Sequence, residues 1–194
     1  MTFKTTRGFT IIELMITIVV LAILLAVGAP SLSRWVNNRQ IRTSVESIQN
    51  GLMLAKAEAV RRNTAVRFQL TTSVTNDCAL SDSGTSWVVS LADPVGACGT
   101  APSDTTAPQI IQSRSSTEGS PNAAVSAGGV SSIVFNSLGR SNTNASIDVS
   151  NPNGGLCIAD GGRMRCLRIT VGLGGQIRMC DPDPARDGTP LGCS

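Results

Sequence analysis

A single carboxylate, Glu13, interrupts an otherwise uncharged stretch from Phe9 to Ala29. A helix of roughly 20 apolar residues spans the ~30 Å hydrocarbon layer of a bilayer, and a carboxylate within it costs at least ~2.5 kcal/mol on insertion scales. A charge kept at that expense calls for a cationic partner, so the chemistry expected of Glu13 is pairing rather than catalysis. Elsewhere the usual catalytic types are missing. The chain has no histidine, which removes imidazole as base, shuttle or ligand. Gly161-Gly162 and Gly174-Gly175 lack the Lys-Ser/Thr tail of a phosphate loop and read as hairpin turns. No pair of carboxylates stands in a defined frame. Neither an enzyme nor a cofactor is expected.

Six cysteines, Cys78, Cys98, Cys157, Cys166, Cys180 and Cys193, lie beyond the apolar stretch. An even number on the outer side of a membrane reads as a disulfide framework, and oxidation removes the thiols as nucleophiles. Six cysteines allow about fifteen connectivities; the local set, Cys78–Cys98, Cys157–Cys166 and Cys180–Cys193, is the expected one because each bridge closes a loop or hairpin. With no CxxC pair and no histidine, no zinc site is expected. Asp181, Asp183 and Asp187 could hold a hard cation, but Pro182 and Pro184 between them read more simply as a stiffened, exposed terminus. Arg163, Arg165, Arg168 and Arg178 are expected in the last two strands, with Arg140 in a preceding turn. Such a set could straddle phosphates without reading sequence. Equally, alternating arginines shield edge strands from pairing.

The elements that position these residues follow from periodicity. Residues 1–8 read as a leader, 9–29 as a transmembrane half-helix, 30–63 as an amphipathic half and 64–194 as a β-rich domain of about 130 residues outside the membrane. Pro30 is expected to kink the helix rather than end it, since the helical pattern resumes at once. Ile41, Val45, Ile48, Leu52, Ala55 and Ala59 recur in steps of four and three, a stripe expected to pack on a sheet. The helix is expected to stop near Arg61-Arg62-Asn63. Strands are expected at 65–70, 87–91, 109–112, 132–135, 146–149, 155–158, 167–171 and 176–180, with 71–86, 92–108 and 113–129 as loops and Trp87 and Phe135 in the core. Of the 16 basic residues, Lys4 and Arg7 fall in the leader, leaving 14 against 13 acidic ones, so net charge selects no partner.

The segment Gly8-Phe9-Thr10-Ile11-Ile12-Glu13-Leu14 resembles the amino terminus of type IV pilins and type II secretion pseudopilins. The resemblance implies cleavage after Gly8 by a prepilin peptidase and N-methylation of the new terminus at Phe9. It also implies that Glu13 meets the terminal amine of a neighbouring subunit. Lys4 and Arg7 place the short end in the cytoplasm. Two plainer readings compete. Val27-Gly28-Ala29 superficially offers a secretory cleavage site, but cutting there would break the amide before Pro30 and leave Glu13 inside the apolar core of the signal. A simple single-pass anchor leaves Glu13 without a role.

Ala57–Arg62 followed directly by a strand, and a final strand ending Gly-x-x-Arg-x-Cys-Asp, resemble the branch containing secretion pseudopilin H and the minor pilins FimT and FimU. The fold this implies is α+β: a long kinked amino-terminal helix packed on a strand-rich, disulfide-bonded carboxyl-terminal domain. The function it implies is that of a minor pilin priming or capping a type IV pilus, in pilus biogenesis and twitching. A minor pseudopilin of type II secretion, in a periplasmic filament for protein export, is the alternative. Partners would be other pilins through the helix, the peptidase and the inner-membrane assembly platform. A DNA-binding role at the tip in transformation is a further alternative. There the branch's Gly-Arg-x-Arg motif is incomplete in the final strand, Gly175-Gln176-Ile177-Arg178, but complete at Gly162-Arg163-Met164-Arg165.

Overall fold

The computed structural model describes residues 8–115, 117–118 and 120–193, with the side chains of residues 27–31 excepted. Helix α1 runs from Ile11 to Arg62. Strands β1 (Val66–Thr71), β2 (Ser86–Ser90), β3 (Ile110–Arg114), β4 (Ala124–Ser126), β5 (Ser132–Phe135), β6 (Ala145–Ser150), β7 (Leu167–Val171) and β8 (Ile177–Cys180) follow. The chain divides between Val36 and Asn37. In the first unit every large apolar side chain from Phe9 to Leu25 is exposed. Among the described residues, no helix is long and apolar enough to cross a membrane. The apolar stretch with described side chains, Ile11–Ala26, stops short of the roughly 20 residues a span needs. Pro30 lies within α1, but its expected kink falls on residues whose side chains are outside the described ones.

The second unit holds both sheets and the helix from Asn37 onward. Ile41, Val45, Ile48, Leu52, Ala55 and Ala59 are all fully buried. They share one core with Val66, Phe68, Trp87, Val89, Ile133 and Phe135 from the first sheet and Ile147, Val149, Ile169 and Val171 from the second. Each fully buried Val, Ile, Leu or Phe side chain contributes about 1.5–3 kcal/mol, so this stripe holds the domain together. The helix ends where a left-handed residue can close it. Asn63 has φ 50°, its N–H donates to Val60 O at 3.3 Å, and Thr64 N–H donates to Ala59 O at 3.2 Å. This double closure is a Schellman motif, with asparagine in the place glycine more often takes.

Both sheets are antiparallel, in the orders β3-β2-β1-β5 and β4-β6-β7-β8. The first is partly covered on both sides. On the side away from the helix, Val88 packs with Ile110, Cys78 and Cys98. The loops 72–85 and 91–109, joined by the Cys78–Cys98 disulfide, therefore close over β2. Structure departs from sequence expectation in two places. Residues 155–158 form no strand: Cys157 makes only an isolated bridge with Met164, and a 3-10 turn begins at Ile158. Conversely β4, which pairs with β6 through Ala124–Ser150 and Val125–Val149, lies inside a stretch expected to be loop. Its three residues are too few to show alternation; pairing at the sheet edge, not local propensity, makes it a strand.

Gly51 marks a close helix–sheet approach. A Cβ there would lie 2.7 Å from the Phe68 ring and 3.1 Å from Trp87, two rings whose centroids are 5.8 Å apart. Trp87 is further fixed by its Nε1–H donating to Ser47 Oγ at 3.0 Å. On helix propensity alone, Gly51→Ala should gain about 1 kcal/mol. Overpacking against two buried rings should outweigh that gain, giving a net loss of about 1–2 kcal/mol. Urea denaturation of the domain checks the sign, and a stabilised variant would refute the packing argument.

At the helix end, Arg61 donates to Glu58 through Nε (3.0 Å) and Nη2 (2.6 Å), and Arg62 through Nε (2.7 Å). Arg62 also reaches Asp104 at 2.7 Å, tying loop 91–109 to the helix. Hydrogen bonds from Arg61, then Arg62, hold the Glu58 carboxyl below its ordinary value of 4.5. A depressed carboxylate stabilises the fold fully above its unfolded value and loses that contribution as pH falls through the folded one. The melting-temperature gap between wild type and Glu58→Gln should therefore be constant near neutrality and close below about pH 4.5. A gap independent of pH would refute this role.

Candidate assembly site

The amino-terminal site is built by the helix start. Thr10 precedes the first turn of α1, and Glu13 is the acid within that turn. Glu13 N–H donates to Thr10 Oγ1 at 3.3 Å. In return Thr10 N–H and Thr10 Oγ1–H each donate to Glu13 Oε2 at 3.3 Å. This is a capping box, in which threonine and glutamate three residues apart satisfy each other's backbone donors. A carboxylate near a helix amino terminus also complements the macrodipole. All these contacts on the carboxylate fall on Oε2; Oε1 takes part in none of them. Thr10 belongs to the motif read in the sequence but was given no role there, although the Thr-x-x-Glu spacing ahead of an apolar run is itself the signal of a capping box.

Gly8 and Phe9 flank this box, both exposed. A Cβ at Gly8 would meet no atom within 4 Å. Nothing in the described fold requires glycine there, so a requirement for glycine at this position must come from something that reads the chain from outside.

The four arginines do not form one set. Arg168, on β7, donates to Asp148 directly across on β6 through Nε (2.6 Å) and Nη2 (3.0 Å). That contact raises the guanidinium above its ordinary value. Arg165 Nε donates at 2.9 Å to Asp181, whose side chain is 6% exposed. Arg163 and Arg178 are exposed. Contrary to expectation, Arg163 and Arg165 belong to no strand: they sit in a tight loop closed by the Cys157–Cys166 disulfide. Gly162 is packed against Leu156 O there, so Gly161-Gly162 is a turn within that loop, whereas Gly174-Gly175 does form the β7–β8 hairpin turn. A third disulfide, Cys180–Cys193, ties the last residues to the end of β8. Among the described residues, no group of acidic or cysteine side chains could hold a metal ion.

A helix whose first part exposes mostly apolar side chains around one carboxylate, Glu13, and whose second part carries an antiparallel, disulfide-bonded β domain defines a pilin-like protein. The family model described as type II transport protein GspH matches residues 44–186, and the prokaryotic N-terminal methylation motif matches residues 3–29. The chain belongs to the GspH family. No curated protein matches it. Among solved structures, the chain is similar to the type IV minor pilin FimU of Pseudomonas aeruginosa PAO1, with 15% identity over 79% of this chain and 99% of that one and a TM-score of 0.49. It is also similar to the minor pseudopilin EpsH from the type 2 secretion system of Vibrio cholerae, with 12% identity, 74% and 98% coverage and a TM-score of 0.47. For GspH of E. coli the values are 13%, 80%, 95% and 0.45.

The capping box makes a direct prediction. Thr10→Val deletes the hydroxyl that bonds the Glu13 amide and carboxylate, at a cost of about 1 kcal/mol for a lost cap. Amide exchange at residues 11–14 in lipid nanodiscs should then quicken about fivefold, whereas Thr10→Ser should exchange as wild type does. Equal protection in Thr10→Val would show that the box does not hold the helix start.

Proposed function

We propose that this chain is a minor pilin of the FimT/FimU kind, anchored in the inner membrane by residues 9–29 with its β domain in the periplasm, which primes or caps a type IV pilus. Prepilin peptidase cuts after Gly8, and the new terminus, Phe9, is N-methylated. The assembly platform and neighbouring pilins then receive the helix. The observation that carries the reading is a lone carboxylate, Glu13, four residues beyond Phe9 in a helix that exposes nothing else but apolar and hydroxyl groups up to Ala26. Glu13 is already part-satisfied by Thr10, so the subunit does not enter the membrane with a bare charge. The Phe9 amine of an incoming subunit binds through the free Oε1 or displaces Thr10. No catalysis is required.

The description of the matched family favours a second reading, a minor pseudopilin of type II secretion. A deletion strain separates the two: loss of twitching marks the pilus, and loss of exported enzymes marks the secretion filament. The arginines support a structural role more than a nucleic-acid surface, because Arg165 and Arg168 are occupied by carboxylates. Of the four, Arg163 and Arg178 are left to meet a phosphate backbone, with exposed Arg140 beside the preceding strand.

The variants that test assembly have opposite signatures. Glu13→Ala should insert and be cleaved yet fail to enter the filament, read by immunoblotting sheared filaments. Gly8→Ala should accumulate at the uncleaved mass. Normal incorporation of Glu13→Ala would overturn the pairing.

A further inference from the structure

Each sheet has two edges, and three of the four are blunted. At β3, Ile110 O accepts from Ser103 N–H at 3.0 Å. At β5, Val134 N–H donates to Asn142 Oδ1 at 2.8 Å and Val134 O accepts from Asn142 N–H at 2.9 Å. At β4 only three residues form the edge. Short or covered edges resist pairing with another chain. β8 is different. Gly172 N–H donates to Gln176 O at 2.9 Å where the β7–β8 hairpin closes, and antiparallel bonding alternates from there. Given the pairs Thr170–Arg178 and Arg168–Cys180, the main-chain groups of Arg178 and Cys180 face β7 and those of Ile177 and Met179 face outward. Both ends of that outer edge are occupied: Gly175 O accepts from Lys56 Nζ at 2.8 Å, and Asp181 N–H donates to Leu191 O at 2.8 Å. Between them, the outward N–H and C=O groups of Ile177 and Met179 have no hydrogen-bond partner among the described residues.

The open stretch borders a groove of about 610 Å³, lined by Met53, Lys56, Ala57 and Val60 of the helix and by Gly175 and Ile177 at the start of β8. All of these belong to the second unit. Met53 is 45% exposed and Val60 52% exposed, so uncovered apolar surface stands beside unpaired backbone. Ile177 and Met179 pack towards the core, which turns Arg178 between them to the opposite face. Across the sheet on that face lie Thr170 and then Ser146, neither of them a carboxylate. Among the described residues Arg178 makes no ion pair. Exposed Arg140 stands near the same hairpin, since a Cβ at Gly175 would lie 3.5 Å from its Cα.

We propose that β8 is a docking edge, to which a partner protein adds an extended segment of alternating apolar and acidic residues. The main chain of that segment pairs with Ile177 and Met179. Its apolar side chains enter the groove beside Met53 and Val60, and its acidic ones lie beside Arg178. Strand addition draws affinity from main-chain bonds and specificity from side chains that alternate between two faces. Two residues of open edge limit the contact to about four main-chain bonds, so the groove and the charge must supply the rest. The inference does not depend on which filament carries the chain.

Full-length protein in phosphatidylcholine nanodiscs is titrated into a fluorescein-labelled peptide, Ser-Val-Asp-Val-Asp-Val-Ser, and binding is read by anisotropy against empty nanodiscs. Saturable binding is expected. Val60→Lys and Arg178→Glu should each weaken it roughly tenfold, whereas Val95→Lys, in loop 91–109, should not. All three positions are exposed, so the fold is retained. Arg178→Glu should recover binding to the same peptide with lysine in place of aspartate. In an added strand alternate N–H groups face β8, so N-methylating the valines or, separately, the aspartates should differ in effect by roughly tenfold. Equal effects would overturn strand addition. Unchanged binding in Val60→Lys would overturn the groove, and no recovery with the lysine peptide would overturn the charge pairing. No saturable binding at all would overturn the docking edge. If instead the wild type dimerises in detergent micelles and Val60→Lys does not, a second copy is the occupant and the acidic partner is overturned.

Discussion

The fold depends on one stripe of six helical residues. Ile41 to Ala59 are the surface on which the inner residues of both sheets converge, and removing water from that shared core is the dominant favourable term in folding. Its constraint is geometric as much as energetic. Because the rings of Phe68 and Trp87 lie directly over Gly51, the helix can approach β1 and β2 only where it has no side chain. The register of the helix on the sheet is set at that point.

Polar contacts then fasten what the stripe has placed. Glu58 and Arg62 bind the helix end to Asp104 in a loop. Asn37, Asn38 and Gln40 bind the domain's other helical end to Asn151 and Arg165. Disulfides work where packing is thin: Cys78–Cys98 joins two long loops over the outer face of β2, and the other two close the segments around β7 and β8. A chain with few aromatic residues and long Ser/Thr-rich loops has limited apolar area to bury, and covalent closure of about 10–20-residue loops contributes about 3 kcal/mol each by the chain-entropy account.

The amino-terminal end obeys a different economy. Its described large apolar side chains from Phe9 to Leu25 are exposed, and Thr10 and Glu13 answer each other's polar groups at the helix start. As the third helical residue Glu13 caps its own chain while its carboxylate stays exposed.

Much of this was legible in the residues. Periods of three and four picked out the helix stripe to the residue, and runs of β-branched residues located seven of the eight strands. Asn63 announced the helix end because few residues tolerate a left-handed backbone. Local cysteine spacing pointed to the same three bridges the structure forms. Tertiary structure alone decided which arginines stay available, since Asp148 and Asp181 reach Arg168 and Arg165 only after β6, β7 and the terminal segment are brought together. It alone made a strand of residues 124–126, whose hydrogen-bond partners lie on β6, and denied one to residues 155–158, where the short disulfide-closed loop turns back too soon to pair. The division has a physical cause. Periodicity, capping and turn preferences act between residues a few positions apart and are written in order along the chain, whereas charge pairing and strand edges join distant residues and exist only once the core has closed.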